Sequence, residues 1–155
     1  MSSSIEDVRS DGGEATSAVK VCIVTNADSA DVAWINQRLS DHACETIGRV
    51  DYVPLTIFLR DDQGTLCGGL LGYSIWSSVQ IDSLWVEPSM RRMGHGLSLL
   101  KSAERTARVR GCKLIHVETY SPEALQFYLG AGYSMFGNLW DTDQGFSKYY
   151  LRKAV

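Results

Sequence analysis

The chain is poor in the residues that hold metals and crosslinks. Its four cysteines, Cys22, Cys44, Cys67 and Cys112, are scattered without a C-x-x-C pair, which excludes the usual zinc spacings. His42, His95 and His116 lie too far apart to outline a metal site. There is no run of five like charges and the net charge is −3, so a nucleic-acid footprint is not indicated. No apolar run approaches the roughly 18 residues of a membrane span. Met1 to Ala18 contains no apolar segment of the kind a secretory signal needs. Disulfides are therefore not expected, and the cysteines read as buried apolar thiols of a cytoplasmic, metal-free protein. A Gly-Lys-Ser/Thr phosphate loop is missing as well, and no third glycine stands where a dinucleotide fingerprint requires one.

What is present is an ordinary globular composition. At 155 residues, 45% hydrophobic and 21% charged, the chain is long enough for one domain with a sizeable core. Residues 1–18, rich in Ser, Gly, Asp and Glu, are expected to be a disordered leader, with a single domain over 19–155. Val19 to Val24 is β-branched and predicts a first strand. Asp28 or Ser29 caps a helix carrying Val32, Ile35 and Leu39 at helical spacing. Val53 to Leu59 and Leu66 to Trp76 predict a hairpin about the Asp61-Asp62-Gln63-Gly64 turn. Gln80 to Val86 follows as a fourth strand, His95 to Arg108 as a helix, and Leu114 to Thr119 as a fifth strand. A short helix from Pro122 to Leu129 and two closing strands, Tyr133 to Phe136 and Phe146 to Leu151, complete the order β-α-β-β-β-α-β-α-β-β.

The most informative stretch joins the fourth strand to the helix after it, Leu84-Trp85-Val86-Glu87-Pro88-Ser89-Met90-Arg91-Arg92-Met93-Gly94-His95-Gly96. A strand that runs through an arginine and two glycines into a helix start aims backbone N–H groups, at the positive end of the helix dipole, into one concavity. Gly94 and Gly96 remove the Cβ atoms that would keep a diphosphate off that backbone. A phosphorylated cofactor is the expected occupant.

Arg91-x-x-Gly94-x-Gly96, preceded by Leu84-x-Val86-x-Pro88, resembles the acyl-CoA loop of the GNAT N-acetyltransferases. Ala124-Leu125-Gln126-Phe127-Tyr128-Leu129-Gly130-Ala131-Gly132-Tyr133 resembles that family's A-x-x-[FL]-Y-x-x-x-G-[FY] segment, and the element order between the two agrees. The closing run Gly145 to Lys153 is similar to a subgroup of uncharacterised bacterial members. The resemblance implies an α/β fold: a mixed, mostly antiparallel sheet with splayed fourth and fifth strands and helices on both faces. It also implies transfer of an acetyl or other acyl group from acetyl-CoA to an amine, without a metal. The pantetheine arm would lie in the splay against the backbone of Leu84, Trp85 and Val86. The diphosphate would rest on the backbone of Arg91, Arg92, Met93, Gly94, His95, Gly96 and Leu97. The two arginines add charge, while the His95 side chain reads as an exposed helix-start residue.

By the same resemblance Tyr128 protonates the departing CoA thiolate, a task that suits a rigid phenol protonated at neutral pH. Ser121 stands where many members carry an asparagine that bonds the pantetheine arm, and a serine has shorter reach. For the general base, strand alternation puts His116 and Glu118 on one face, with His116 titrating nearest working pH. Asp82 and a water chain are the alternatives, and Glu87 is expected to be solvated beyond the strand end. Trp34, Tyr52, Trp140, Asp141, Asp143 and Tyr149 are candidate walls for a cationic small-molecule or peptide amine acceptor. Two other readings stay open at this stage, a non-catalytic CoA-binding domain and an enzyme using a longer acyl donor or an acyl carrier. A homodimer is compatible with the exposed last strands of such folds.

Overall fold

In the computed structural model residues 19–48, 51–141 and 145–155 are described. The expected leader lies outside them. The chain divides after Gly48 into two units, each taken here by itself. In the first, helix α1 spans Ser29–Ile47. The Asp28 carboxylate caps it by accepting the Ala30 N–H at 3.0 Å. Gly48, at φ 92°, ends it by donating its N–H to Cys44 O. None of the residues of α1 is buried. The strand expected at Val19 to Val24 does not form: the segment is irregular and exposed. β-branched residues favour extended backbone, but a strand also needs a ladder partner, and this run has none among the described residues. Cys22 and Cys44 are likewise exposed, so the expectation of buried thiols holds only for Cys67 and Cys112.

The second unit is built on a six-stranded sheet in the order β1-β2-β3-β4-β6-β5. Its strands are β1 (Val53–Arg60), β2 (Leu66–Ile75), β3 (Ser78–Val86), β4 (Leu114–Thr119), β5 (Ser134–Asp141) and β6 (Phe146–Ala154). All neighbours are antiparallel except β3 and β4. The β1–β2 turn follows its sequence signal: the Asp61 carboxylate accepts the N–H groups of Gln63 and Thr65 at 2.9 and 2.8 Å. Parallel neighbours cannot be joined by a tight turn, and helix α2 (His95–Val109) supplies the crossover from β3 to β4. Helix α3 (Pro122–Gly130) links β4 to β5, and β6 then inserts between them. The two closing strands run further than expected, because pairing along β6 on both edges extends the ladders past the apolar runs that marked them.

Leu99, Leu100, Ala103 and Ala107 of α2 recur at helical spacing and are buried in one core with Leu70, Val79, Ile81, Ile115, Val117 and Leu151. Tyr128 of α3 joins the same core, so α2 and α3 share one face of this unit's sheet. Arg110, just past α2, ties the helix end to the sheet by donating to Val53 O, Pro54 O and Ser74 Oγ at 2.8 to 3.0 Å. No helix among the described residues is long and apolar enough to cross a membrane.

β2 lies unusually close to its neighbours. A Cβ at Gly68 would lie 2.5 Å from Trp85 O, and one at Gly72 would run into Gln80 O. By contrast, a Cβ at Gly130, in α3, would meet nothing within 4 Å. Gly130→Ala should therefore raise unfolding free energy by about 0.4–1 kcal/mol. Gly72→Ala should lower it, because a buried ladder must shift. Urea titration of both variants checks the pair, and equal effects would show that the backbone approach at Gly72 is not tight in solution.

Candidate active site

The β2–β3 register contains one irregularity that shapes the rest. Leu71 faces Ser83 and Gly72 faces Ile81, so Asp82 has no partner on β2. This is a β-bulge, which bends the strand that carries it. Parallel pairing between β3 and β4 stops at the same level, with Ile81 opposite Val117. Beyond it residues 82–86 stay on β2 but part from β4. A cleft of about 410 Å³ opens between them. One wall is Asp82, Ser83, Leu84 and Trp85, the other is Val117, Glu118 and Thr119, and Ala124 and Tyr128 of α3 close the side. The splay expected from sequence is present, at the carboxyl ends of two parallel strands where open α/β sheets place ligands.

At the end of β3, Val86 is buried and its carbonyl accepts the Arg91 Nε–H at 2.9 Å. The Arg91 guanidinium lies over the Trp85 ring, 4.4 Å from its centroid, so this arginine anchors the loop to the strand. Arg92, exposed, holds the left-handed φ of 61° that side chains rarely adopt. Met93 is exposed. Gly94 is the helix N-cap at φ 86° and offers no side-chain cap. The first bond of α2 runs from Ser98 N–H to Gly94 O at 3.0 Å, so the N–H groups of His95, Gly96 and Leu97 precede the ladder. An uncapped helix start suits an anion. The two glycines differ in purpose, however. Space beside Gly94 is open, whereas a Cβ on Gly96 would stand 3.2 Å from the Phe127 ring. Gly96 is small so that α3 can pack against the start of α2, a requirement the sequence reading assigned to the diphosphate alone.

Ser121 caps α3: its Oγ accepts the Ala124 N–H at 3.2 Å and its N–H donates to Thr119 Oγ1 at 3.0 Å. That hydroxyl already serves the helix. Tyr128, 5% exposed, lines the cleft with Phe127 and Tyr133 edge-on at 5.2 and 5.6 Å. Burial pushes its phenol up to about 12, so it keeps its proton throughout the neutral range.

Across the cleft, Asp82 and Glu118 face each other from the two parted strands. Burial raises the proton affinity of Asp82, the Glu118 charge raises it further, and His116 opposes both. His116 sits on the same side of the sheet, but opposite Gln80, where β3 and β4 are still paired, and it is not part of the cleft lining. Its own proton affinity is lowered by burial, against the pull of Asp82 and Glu118. Lys148 of β6 forms a 2.6 Å ion pair with Glu118. Nothing local in the sequence marked Lys148, because the contact depends on β6 inserting beside β4. Asp82 did leave a signal: the inward spacing Val79-x-Ile81 resumes out of phase as Leu84-x-Val86, the mark of an extra residue.

Of the residues expected to wall the acceptor, those described in the second unit belong to different parts of its sheet. Tyr52 stacks on Tyr73 with centroids 4.8 Å apart, Tyr149 packs on the core, and Trp140 is exposed on the edge strand. Asp141 ends β5, Trp34 belongs to α1, and Asp143 lies outside the described residues. Glu87 is exposed past the strand end, as expected. No group of three His, Cys, Asp or Glu side chains among the described residues could hold a metal.

The sequence profile of the Acetyltransferase (GNAT) family matches residues 27–133. The chain belongs to that family. It is similar to an acetyltransferase of Agrobacterium fabrum, 32% identical over 127 residues that cover 82% of this chain and 93% of that protein. A blasticidin-S acetyltransferase of Streptomyces morookaense is 36% identical over 95 residues, 61% of this chain and 70% of its own. A crystal structure from Agrobacterium tumefaciens assigned to the acetyltransferases superposes with a TM-score of 0.82 at 29% identity, covering 88% of this chain and all (100%) of that one. The chain is a CoA-dependent N-acetyltransferase.

The contact between Gly96 and Phe127 generates a test of the loop. Gly96→Ala should lower stability, and Phe127→Leu in the same chain should restore it by giving up the crowded ring atoms. If the double variant melts like the single one, the Gly96 constraint does not come from Phe127.

Proposed function

We propose that this chain moves an acetyl group from acetyl-CoA to the amine of a small-molecule or peptide acceptor by direct attack while both are bound. The observation that carries this reading is the continuity of the site. A free strand edge at residues 82–86 leads from a protonated tyrosine at one side to an uncapped helix start at its end. Acetyl-CoA supplies the activated acyl group as a thioester. The backbone of Ser83 to Val86 pairs with an extended amide-bearing arm as a fourth-edge partner would, and its N–H groups polarise an acyl carbonyl placed there. The N–H groups of His95 to Leu97 and the charges of Arg91 and Arg92 hold the diphosphate.

Tyr128 is the general acid, donating its phenolic proton to the leaving thiolate. Burial keeps it protonated throughout the neutral range and so loaded for donation, while making it a weaker acid than a free phenol. We assign the acceptor's proton to the carboxylates across the cleft. Asp82 leads, because partial burial and the facing Glu118 raise its proton affinity above that of an ordinary aspartate, with Glu118 on the opposite wall and His116 on the paired stretch of β4. The acceptor class that fits this wall is a cationic amine. The name of the blasticidin-S acetyltransferase supports a small-molecule acceptor. We place the protein in the cytoplasm, where Cys67 and Cys112 persist as buried thiols.

An amine panel assayed by release of free CoA thiol tests the acceptor class, and turnover with none of its small-molecule or peptide amines would contradict that class. Tyr128→Phe should retain CoA affinity while lowering kcat by on the order of 10²-fold. An unchanged kcat in a chemistry-limited assay would return Tyr128 to a packing role.

The proton route makes its own prediction. Asp82 accepts a proton only when ionised, so kcat/KM should rise with pH through its raised pKa. Glu118→Gln removes a negative neighbour, lowers that pKa and should move the limb to lower pH. Asp82→Asn should abolish that limb while leaving the one due to the amine itself. A wild-type pH profile in both variants would exclude the carboxylates.

A further inference from the structure

Lys153 of β6 ties both helices of the second unit to the sheet, and neither the sequence motifs nor the reaction just described employ it. Its Nζ makes a 2.8 Å ion pair with Glu104 of α2, whose carboxylate is buried. The same Nζ donates to Ala131 O at 2.8 Å. Ala131 is the C-cap of α3, one turn beyond Tyr128, at the negative end of the helix dipole. The chain then reverses at Gly132, φ 87°, and Tyr133 N–H donates back to Tyr128 O at 3.0 Å. Lys153 Nζ also lies 5.5 Å from the centroid of the Tyr133 ring, which itself meets the Tyr128 ring edge-on at 5.6 Å. Two routes therefore lead from one ammonium to one phenol, through the helix cap and through the neighbouring ring.

We propose that Lys153, held by Glu104, is a positioning residue that fixes the end of α3 and so the place of the Tyr128 phenol in the cleft. A buried carboxylate is costly unless paired, and removal of Lys153 alone would leave Glu104 with only its 3.9 Å contact to the exposed Arg108. The two are therefore a single device: α2 supplies the anion, β6 the cation, and the cation's second bond is spent on the helix that bears the acid. Helix α3, Pro122–Gly130, packs on the core through Ala124, Leu125, Phe127 and Tyr128, and the ammonium adds a polar tie at its C-terminal end, the end nearer Tyr128. The inference rests on the proposed role of Tyr128 for its catalytic consequence, and on geometry alone for the positioning.

The test uses the full chain carrying Glu104→Gln with Lys153→Met, which removes both charges together and avoids a buried unpaired carboxylate. With tyrosines labelled for ring-carbon NMR, the Tyr128 and Tyr133 resonances should shift and broaden in this variant while those of Tyr52 and Tyr73 stay put. Lys153→Arg alone, which can keep both the ion pair and the cap bond, should return them toward wild type. Unmoved Tyr128 resonances in the folded double variant would overturn the proposal. CoA affinity by calorimetry should change less than kcat, which should fall on the order of tenfold with the best amine of the panel. In a Tyr128→Phe background the same pair of substitutions should cost nothing further in kcat. An equal loss in both backgrounds would mean a general structural effect and would also overturn the proposal. If Tyr128→Phe itself leaves kcat unchanged while the resonances move, the acid assignment fails and the positioning stands.

Discussion

One extra residue in one strand organises this protein. Asp82 is unpaired on β2, and the bend that follows ends the β3–β4 ladder at Ile81 and Val117. Without the bulge, β3 and β4 would continue as neighbours and the sheet would close. With it, the backbone of Ser83 to Val86 is held on one edge by β2 and left open on the other. The glycines of β2 belong to the same constraint, since Gly68 and Gly72 let β3 lie against β2 on both sides of the bulge. The opening is thus built from rigid ladders, which is the support a site needs for accurate placement of reacting groups.

The chemistry is divided between backbone and side chains. The open edge of β3 and the first turn of α2 contribute N–H groups, which need no particular side chain beyond the freedom of Gly94 to adopt φ 86°. Arg91 is turned back onto Trp85 and Val86, so the loop is anchored to the strand that delivers it. Side chains enter where protons move. A phenol kept protonated by burial closes one side, and two carboxylates, one with raised proton affinity, face each other from the two strand walls. Opposite protonation states within one cleft are what a reaction with one proton donor and one proton acceptor requires.

Much of this was legible in the sequence, for physical reasons that can be named. The strand from Leu114 to Thr119 ends where its apolar alternation ends, and the Asp61–Gly64 turn is chemistry local to four residues. The resemblance implies the cleft, and the out-of-phase Ile81 and Leu84 carry the mark of the bulge. Contacts made by distant parts of the chain left no such trace. Lys148 reaches Glu118, and Lys153 reaches Glu104, only because β6 inserts between β4 and β5. Gly96 suggests room for a ligand while its neighbour is Phe127, because sequence shows that a Cβ is missing and not what fills the space. Val19 to Val24 shows the converse: propensity for extended backbone does not by itself create a strand, and this run has no ladder partner among the described residues.

The central claim, that the open edge of β3 and the start of α2 together receive CoA, is tested most directly by amide NMR of the full chain titrated with CoA. The amides of Ser83 to Val86 and of Gly94 to Leu97 should shift together along one saturation curve, with β1 and β5 unmoved. Saturable binding that leaves both segments unchanged would contradict it.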